Sequence, residues 1–364
     1  MAGTFEAIEA VEPPLAATAR VQPTRLRSGA AIAAGAALLG AALAGVLAGP
    51  VALDPLAVVR ELIDRLPLVE LDSGLTEREA AILWQLRLPR VVLGGLVGAT
   101  LAMAGAAYQG VFRNPLADPY LLGVAAGAGL GATVAIAYLP DPEAWPVSPV
   151  PIAAFAGAMV GAALTYTLGR SGGRARSTAT LVLAGVAIAS FLTAAQTFVQ
   201  QRHSDTLRDV FSWILGSLGT ARWNEAGVVA VYAAIGAVVL LLHRRLLDVL
   251  AVGDEEADSL GVHPTRVRLV VVAAATLATA AAVAMSGLIG FVGIIVPHTI
   301  RLLVGTSYRL VLPLSIVAGA AFLILADLLA RTVTAPAEVP IGVVTAFFGA
   351  PFFLVVLHRA RKVT

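Results

Sequence analysis

The feature of this sequence that most constrains its fold is a series of apolar runs, each about twenty residues long. With a rise of about 1.5 Å per residue, a helix of that length crosses roughly 30 Å, the thickness of the hydrocarbon core of a bilayer. The runs are apolar on every side, unlike the one-sided pattern of a soluble helix. Only 13% of the 364 residues are charged. The sequence therefore predicts an all-α, polytopic helical membrane protein.

We predict about ten transmembrane helices, with ends placed to within a few residues. The predicted spans are residues 29–50, 90–112, 119–139, 150–170, 178–200, 226–246, 266–285, 288–304, 309–330 and 340–359. The seventh and eighth spans are separated only around Ser286 and Gly287. An even number of spans places both termini on one side of the membrane.

The distribution of basic residues orients the predicted helices. Most of the 25 Lys and Arg residues fall in connections on the side of the termini, whereas the long connection 51–89 is mainly acidic. Cytoplasmic connections carry an excess of Lys and Arg, so we expect both termini in the cytoplasm and the chain in the bacterial plasma (inner) membrane. Residues 1–28, rich in Pro and without regular apolar runs, are expected to form a disordered cytoplasmic tail before a membrane domain of residues 29–359. The basic residues flank membrane spans and do not indicate nucleic-acid binding.

The residue types of this chain argue against an enzyme. The sequence contains no cysteine, and its single lysine, Lys362, cannot complete a phosphate-binding G-x-x-x-x-G-K-[ST] loop. The five histidines are scattered along the chain rather than spaced as metal ligands. No serine spacing suggests an activated nucleophile. We therefore expect a non-enzymatic chain with no metal and no cofactor of its own.

Asp327 is the carboxylate that a predicted span places within the membrane. It lies four residues before Arg331, so the two side chains share one helix face and can pair near the outer boundary. A proton relay at Asp327 is the alternative, and it would favour an ion-coupled secondary transporter. We favour the structural pair.

The segment GDEEADSLGV at residues 253–262 places four carboxylates between two apolar runs. Acidic residues at its start suit the positive end of a helix dipole. Gly261 can supply a left-handed C-terminal cap, and Pro264 prevents the helix from continuing. The pattern predicts a short cytoplasmic helix with an acidic face, with a solvated loop as the alternative.

Several segments, in this order along the chain, resemble the FecCD-like permeases of type II ABC importers for ferric siderophores, haem and cobalamin. The resemblance covers most of residues 84–356. It is carried by RLPRVVLGGLVGATLAMAGAAYQGVFRNPLADPYLLGV (87–124), LVLAGVAI (181–188), WILGSL (213–218), GDEEADSLGV, SGLIGFVGIIVPHTIRLLVG (286–305) and LADLLARTVTAPAEVPIGVVTAFFGAPFF (325–353).

This resemblance implies a type II ABC importer permease fold and a set of partners. Two permease copies, or one copy and a related permease, would form the pore above a dimer of cytoplasmic ATPases that bind ATP and Mg²⁺. An extracytoplasmic binding protein would deliver the cargo. The region from about 250 to 263 would be the coupling helix that contacts the ATPase. Its implied contact residues are Gly253, Asp254, Glu255, Glu256, Ala257, Asp258, Ser259, Leu260 and Gly261.

The resemblance also assigns residues at the two membrane surfaces. Positions that dock the binding protein in the cobalamin importer correspond to Arg87, Arg90 and Arg331. Positions that line the inner gate correspond to Asn114, Leu116, Thr178 and Ala179. Ala179 departs from the hydroxyl residue of the cobalamin permease, which weakens its assignment. In the outer segment 200–219, Arg208 and Trp213 are candidates for the substrate entrance. The sequence leaves three cargo classes open: ferric siderophores, haem and cobalamin.

Overall fold

The computed structural model describes residues 28–65, 72–139, 148–170 and 178–360. The predicted N-terminal tail, apart from Ser28, lies outside these residues. Within them the structure is helical and contains no β-strand. The α-helices are α1 (Ser28–Leu47), α2 (Pro55–Asp64), α3 (Glu77–Ala81), α4 (Leu88–Phe112), α5 (Val124–Tyr138), α6 (Pro149–Arg170), α7 (Thr178–Arg202), α8 (Leu207–Ile214), α9 (Trp223–Val252), α10 (Asp254–Ser259), α11 (Pro264–Ser286), α12 (Val292–Val304), α13 (Tyr308–Thr332) and α14 (Ile341–Ala360).

The predicted all-α membrane fold is confirmed. Each predicted span coincides with one of the apolar helices α1, α4–α7, α9 and α11–α14. Seven helices are long and apolar enough to cross a membrane, counting the continuous segment Glu77–Phe112 as one. In the remaining apolar helices α5, α12 and α14, the apolar stretch is only 10–17 residues long.

Local turn chemistry moves three predicted span ends. The span predicted at 119–139 begins at Val124, because Pro119–Leu122 forms a 3₁₀ turn that Gly123 ends with a φ of +75°. The span predicted at 288–304 begins at Val292, since Gly287 ends α11 with a φ of +70°. The span predicted at 226–246 extends to Val252 as helix α9, which carries Asp248 beyond the apolar run.

Helix α4 lies at the centre of the bundle. Every residue from Thr100 to Phe112 is buried. A Cβ atom added to Gly98 would lie 2.2 Å from the carbonyl oxygen of Gly319 in α13, and one added to Gly105 would lie 2.1 Å from that of Gly293 in α12. Small residues thus let the backbone of α4 touch two neighbouring helices directly, as in other membrane bundles.

A second, smaller hydrophobic cluster fixes the start of the chain. Leu53, Val58 and Leu83 are buried with Val91 of α4 and Ile324 of α13. This cluster joins α1 and α2 to the central helices. It lies at the end of the bundle opposite to α10, and we refer to these two regions as the α10 end and the opposite end.

Candidate functional sites at the two ends of the bundle

The predicted acidic helix exists as α10, and hydrogen bonds close its C-terminus. Ala257, in its middle, is completely buried. At its C-terminus the Gly261 N–H donates to the Asp258 carbonyl at 2.9 Å, and the Val262 N–H donates to the Ala257 carbonyl at 2.9 Å. Gly261 has a φ of +76°, the left-handed cap expected from the sequence. Because Pro264 begins α11, the segment is a rigid projection rather than an open loop.

The outer face of α10 combines carboxylates with one large apolar side chain. Glu255, Glu256, Asp258 and Ser259 are exposed. The side chain of Leu260 follows them and is 69% exposed. This face therefore presents one apolar side chain beside three carboxylates.

Asp254 differs from the other acids of this segment because it pairs with two arginines. The Nη1 and Nη2 atoms of Arg268 donate to its two carboxylate oxygens at 2.8 and 2.6 Å. Arg113 forms a second ion pair with the same carboxylate. This cluster, made of Arg113, Asp254 and Arg268, joins α10 to the end of α4 and to the start of α11. The sequence did not predict it, since the three residues lie far apart along the chain.

The connection 113–123 contains two of the predicted gate residues. Asn114 is exposed, and its side-chain oxygen accepts a hydrogen bond of 2.9 Å from the Leu116 N–H. Leu116 is half-buried. The Tyr120 hydroxyl ties the connection to the segment between α11 and α12 by donating to the Ile289 carbonyl at 3.1 Å. The other two predicted gate residues, Thr178 and Ala179, begin α7, and their side chains lie outside the described part of the chain.

A carboxylate of α9 fixes the neighbouring connection at the α10 end. Asp248 accepts hydrogen bonds from the Tyr308 N–H at 2.6 Å and from the Ser307 hydroxyl at 2.8 Å. The negative charge therefore lies at the N-terminus of α13, where the helix dipole favours it. Arg301 of α12 donates to Gln109 of α4 nearby. These contacts hold the α10 ends of α4, α9, α12 and α13 together.

At the opposite end, two of the three predicted docking arginines bind the C-terminus of α1. Arg87 is 4% exposed, and its Nη1 atom donates to the Val46 and Leu47 carbonyls at 2.8 and 2.9 Å. Arg331 is 3% exposed and donates to the Gly45 carbonyl. The last carbonyls of a helix have no partner within it. The two cations satisfy them and complement the negative end of the dipole.

The third arginine, Arg90, lies between two carboxylates. Its Nη2 atom is 2.8 Å from Asp327, and its Nη1 atom is 2.8 Å from Glu338. The Nε atom of Arg331 is 3.6 Å from Asp327, so the pair expected within α13 forms and Arg90 joins it. Glu338 is exposed, and the neighbouring Arg90 lowers the pKa of its carboxyl below the ordinary value. Glu338 was not predicted as a site residue, although its position soon after the helix that contains Asp327 and Arg331 could have indicated it.

A cavity of about 170 Å³ lies beside this cluster and is lined by Arg90, Asp327, Glu338, Ser217 and Ile341, among others. The predicted entrance residues belong to α8 on the same side of the bundle. Arg208 is exposed, and Trp213 is half-buried against the central core. The opposite end thus brings together the residues predicted for docking and entrance. The α10 end carries the residues predicted for coupling and for the gate.

Comparison with known proteins decides the family. Residues 37–359 match the model of the FecCD transport family. This chain belongs to the FecCD transport family. The match includes every helix from α2 to α13, so the resemblance noted in individual segments extends over the whole bundle.

Individual relatives within the FecCD family carry different cargo names. The cobalamin import system permease protein of Halobacterium salinarum is 44% identical over 294 residues, covering 80% of this chain and 77% of the relative. The hemin transport system permease protein of Yersinia pestis is 40% identical over 280 residues, covering 76% of this chain and 83% of the relative. A solved structure described as an inward-facing conformation of a metal-chelate type ABC transporter aligns with a TM-score of 0.78 at 26% identity, covering 92% of this chain and 100% of that chain.

Proposed function

We propose that this chain is the membrane-spanning permease subunit of an ATP-driven importer. The observation that carries the proposal is the family match over residues 37–359, which coincides with one continuous bundle of apolar helices. The sequence has no phosphate-binding loop. Within the described ranges, no group of three or more His, Cys, Asp or Glu residues could hold a metal ion. The proposal therefore assigns ATP and Mg²⁺ to a separate ATPase subunit and a transport role without covalent chemistry to the permease.

The proposed cargo is a metal chelate, haem or cobalamin, received from an extracytoplasmic binding protein. Relatives named for cobalamin and hemin transport are 44% and 40% identical to this chain, and one named for Fe(3+)-citrate import is also 40% identical. These values are too similar to select one cargo. A homodimer, or a pair with a related permease, is part of the proposal, with the path for the cargo between the two copies.

The exposed face of α10 is the proposed contact with the ATPase, with both chain termini on the same cytoplasmic side. Leu260 and the carboxylates of Glu255 and Asp258 project from a helix whose other side is anchored by Ala257. Such a projection can transmit displacement, because hydrogen bonds close its C-terminus and Arg268 holds its first residue, Asp254. ATP binding would then re-aim the pore helices through a shift between two discrete arrangements.

The opposite end is the proposed docking surface for the binding protein and the entrance for cargo. Arg87 and Arg331 are engaged with α1, so their proposed contribution to docking goes together with holding that helix. Arg90 is linked to the exposed Glu338, which extends the charged surface toward the binding protein. Arg208 and Trp213 are proposed to meet cargo beside it, and Asn114, Leu116, Thr178 and Ala179 to line the inner gate.

An ion-coupled secondary transporter remains the rival from another class. It needs a carboxylate that gains and loses a proton or binds an ion within the membrane. Asp327 is that candidate, but Arg90 contacts it at 2.8 Å and Arg331 lies 3.6 Å away. Two arginines therefore engage this one carboxylate in an ion-pair network that links α4 and α13, which favours a structural role over a proton or ion site.

The test is uptake by the purified chain in proteoliposomes with its ATPase and binding protein. Cobalamin, haemin and a ferric siderophore would each be offered with ATP, with a non-hydrolysable ATP analogue, or with a proton gradient alone. We expect uptake of one cargo class only with ATP. Uptake that follows the proton gradient and ignores ATP would overturn the proposal in favour of the secondary transporter.

A further inference from the structure

The carboxylate of Asp254 forms ion pairs with two arginines outside α10. Arg268 contacts both of its oxygens, at 2.6 and 2.8 Å, and Arg113 contacts one of them. Paired, charged contacts of this kind are the strong and geometrically specific form of the hydrogen bond. The cluster therefore fixes the start of α10 to two helices at once.

Helix capping does not account for this carboxylate. Asp254 is the first residue of α10, where an acid often serves its own helix. In this structure no side chain caps the N-terminus of α10, and the N-cap position is held by Gly253. The carboxylate is directed at the arginines, while Glu255 and Asp258 of the same helix are exposed.

The position of Arg113 adds a second and independent observation. Arg113 has a φ of +48°, a left-handed conformation that glycine adopts readily and that other residues adopt at a cost. The presence of arginine rather than glycine at this position indicates that the side-chain contact with Asp254 offsets the cost of the backbone conformation. Arg113 also directly precedes Asn114, so its backbone is the start of the connection that carries two proposed gate residues.

The two arginines belong to elements that are packed differently. Arg113 ends α4, whose backbone touches α12 and α13 at Gly105 and Gly98, so that helix is held rigidly up to its last turn. Arg268 lies near the start of α11, directly after α10, and its Nε atom is buried without a partner. A displacement of α10 therefore acts on Arg113 at the boundary between a rigid helix and an exposed connection.

We propose that Asp254 is a positioning residue that transmits the displacement of α10 to the gate connection 113–123 through Arg113, with Arg268 holding its carboxylate in place. This inference rests on the proposed function and deepens it. The outer face of α10 would contact the ATPase, while Asp254 would pass the displacement of α10 to Arg113. Without the negative charge, two arginines would face each other and the connection would no longer follow α10.

The test uses Asp254→Asn, Arg113→Gly and the double variant in the complex with the ATPase and binding protein. Arg113→Gly removes the side chain at a φ that glycine prefers, so thermal stability is expected not to fall. Arg266→Gln is the matched control, because Arg266 is an exposed arginine two residues from Arg268. Three quantities are measured: the amount of ATPase that co-purifies, ATP hydrolysis with and without loaded binding protein, and uptake of the transported cargo.

We expect stimulation and uptake to fall about tenfold in both single variants. Arg113→Gly, which lies outside the segment assigned to the ATPase contact, should retain the ATPase and its unstimulated hydrolysis. Both changes break the same contact between Asp254 and Arg113. Uptake by the double variant should therefore equal that of the more impaired single variant, whereas independent effects would multiply to about a hundredfold below the unmutated chain. Arg266→Gln should match the unmutated chain.

Three results would overturn the proposal. These are normal uptake by either single variant, a double variant whose loss is the product of the two single losses, and loss of uptake only in step with loss of the ATPase from the complex. Failure of the proposed function is distinguishable, because it would appear in the unmutated chain as a lack of ATP-dependent uptake.

Discussion

At the scale of single residues, the charged side chains of this protein act across helices rather than along them. Arg90 reaches Asp327 and Glu338, which are 237 and 248 positions away in the sequence. Arg87 and Arg331 complete the end of α1 from two other helical segments. In a low-dielectric surrounding each buried cation needs such partners, because an unpaired charge there is costly. These side chains thus stabilise specific helix neighbours.

Replacing Arg331 with Met should detach the end of α1 from α13. The change removes the donor to the Gly45 carbonyl and one neighbour of Asp327, which keeps Arg90. We expect a loss of about 2 kcal/mol in stability, within the range for removing one partner of a buried pair. Thermal unfolding in detergent measures it. The control Arg78→Met changes an exposed arginine of α3 and should leave the midpoint in place.

Glu338 should make the thermal stability of the folded protein fall as the solution becomes acidic. Arg90 lowers the pKa of this carboxyl in the folded protein, so the unfolded chain binds the proton more readily. Its contribution is fully present above the ordinary pKa and is lost as the pH falls through the lowered value. Between about pH 5 and pH 3, the unfolding midpoint of the unmutated protein should fall more steeply than that of Glu338→Gln. Parallel curves would show that the Arg90 contact is not formed in solution.

At the scale of helices, the structure depends on direct backbone contact. A Cβ at Gly105 would lie 2.1 Å from the Gly293 carbonyl oxygen, a distance that only a shift of α4 or α12 could relieve. Such contacts require small residues on both helices and bring their backbones closer than leucine-lined faces allow. Helix α4 is thereby held along most of its length.

Replacing Gly105 with Val should separate α4 from α12. We expect the variant to lose about 2 kcal/mol or more, as overpacking of a close interface does. Helix α1 provides the matched control, because a Cβ at Gly35 would meet nothing within 4 Å. Gly35→Val should therefore leave thermal stability nearly unchanged. Equal effects of the two substitutions would contradict the packing described for α4.

The elements themselves could be predicted from the sequence, whereas most of their contacts could not. Apolar runs fix where a helix can cross a bilayer, so each predicted span matched a helix. The left-handed cap at Gly261 could also be predicted locally, because this glycine is followed three residues later by Pro264, which cannot continue the helix. The pairing of Asp254 with Arg113 depends on how α10 lies against α4, and no local pattern contains that information. The docking role of Arg87 came from a resemblance and stays a prediction, while its contact with α1 became visible only in the fold.

At the scale of the whole molecule, the two ends of the bundle have different chemistry. The opposite end collects arginines and carboxylates around α1, α4 and α13, with Glu338 reaching the surface. The α10 end carries a small, rigid projection with an exposed leucine. A protein that passes cargo between a partner on one side and an ATPase on the other needs two such separate surfaces. The rigid centre around α4 connects them.

The surface at the α10 end can be tested without disturbing the bundle. Leu260 is 69% exposed, so replacing it with Asp removes no packing within the chain. If its side chain fills a site on the ATPase, burying a charge there should weaken association strongly, since anchors of an interface carry most of its energy. We expect normal membrane levels and thermal stability, at least tenfold less co-purified ATPase, and no ATP-dependent uptake.

The matched control for that variant lies on the other side of the membrane. Leu56 of α2 is 55% exposed at the opposite end, and Leu56→Asp makes the same chemical change there. ATPase recovery should then equal that of the unmutated chain, because α2 and α10 lie at opposite ends of the bundle. If Leu260→Asp retained the ATPase as fully as Leu56→Asp does, α10 would not be the ATPase contact, and the ATPase would have to bind elsewhere at this end. Since the neighbouring helices end in connections fixed by Asp248 and Tyr120, α10 is the projection that best suits such a contact.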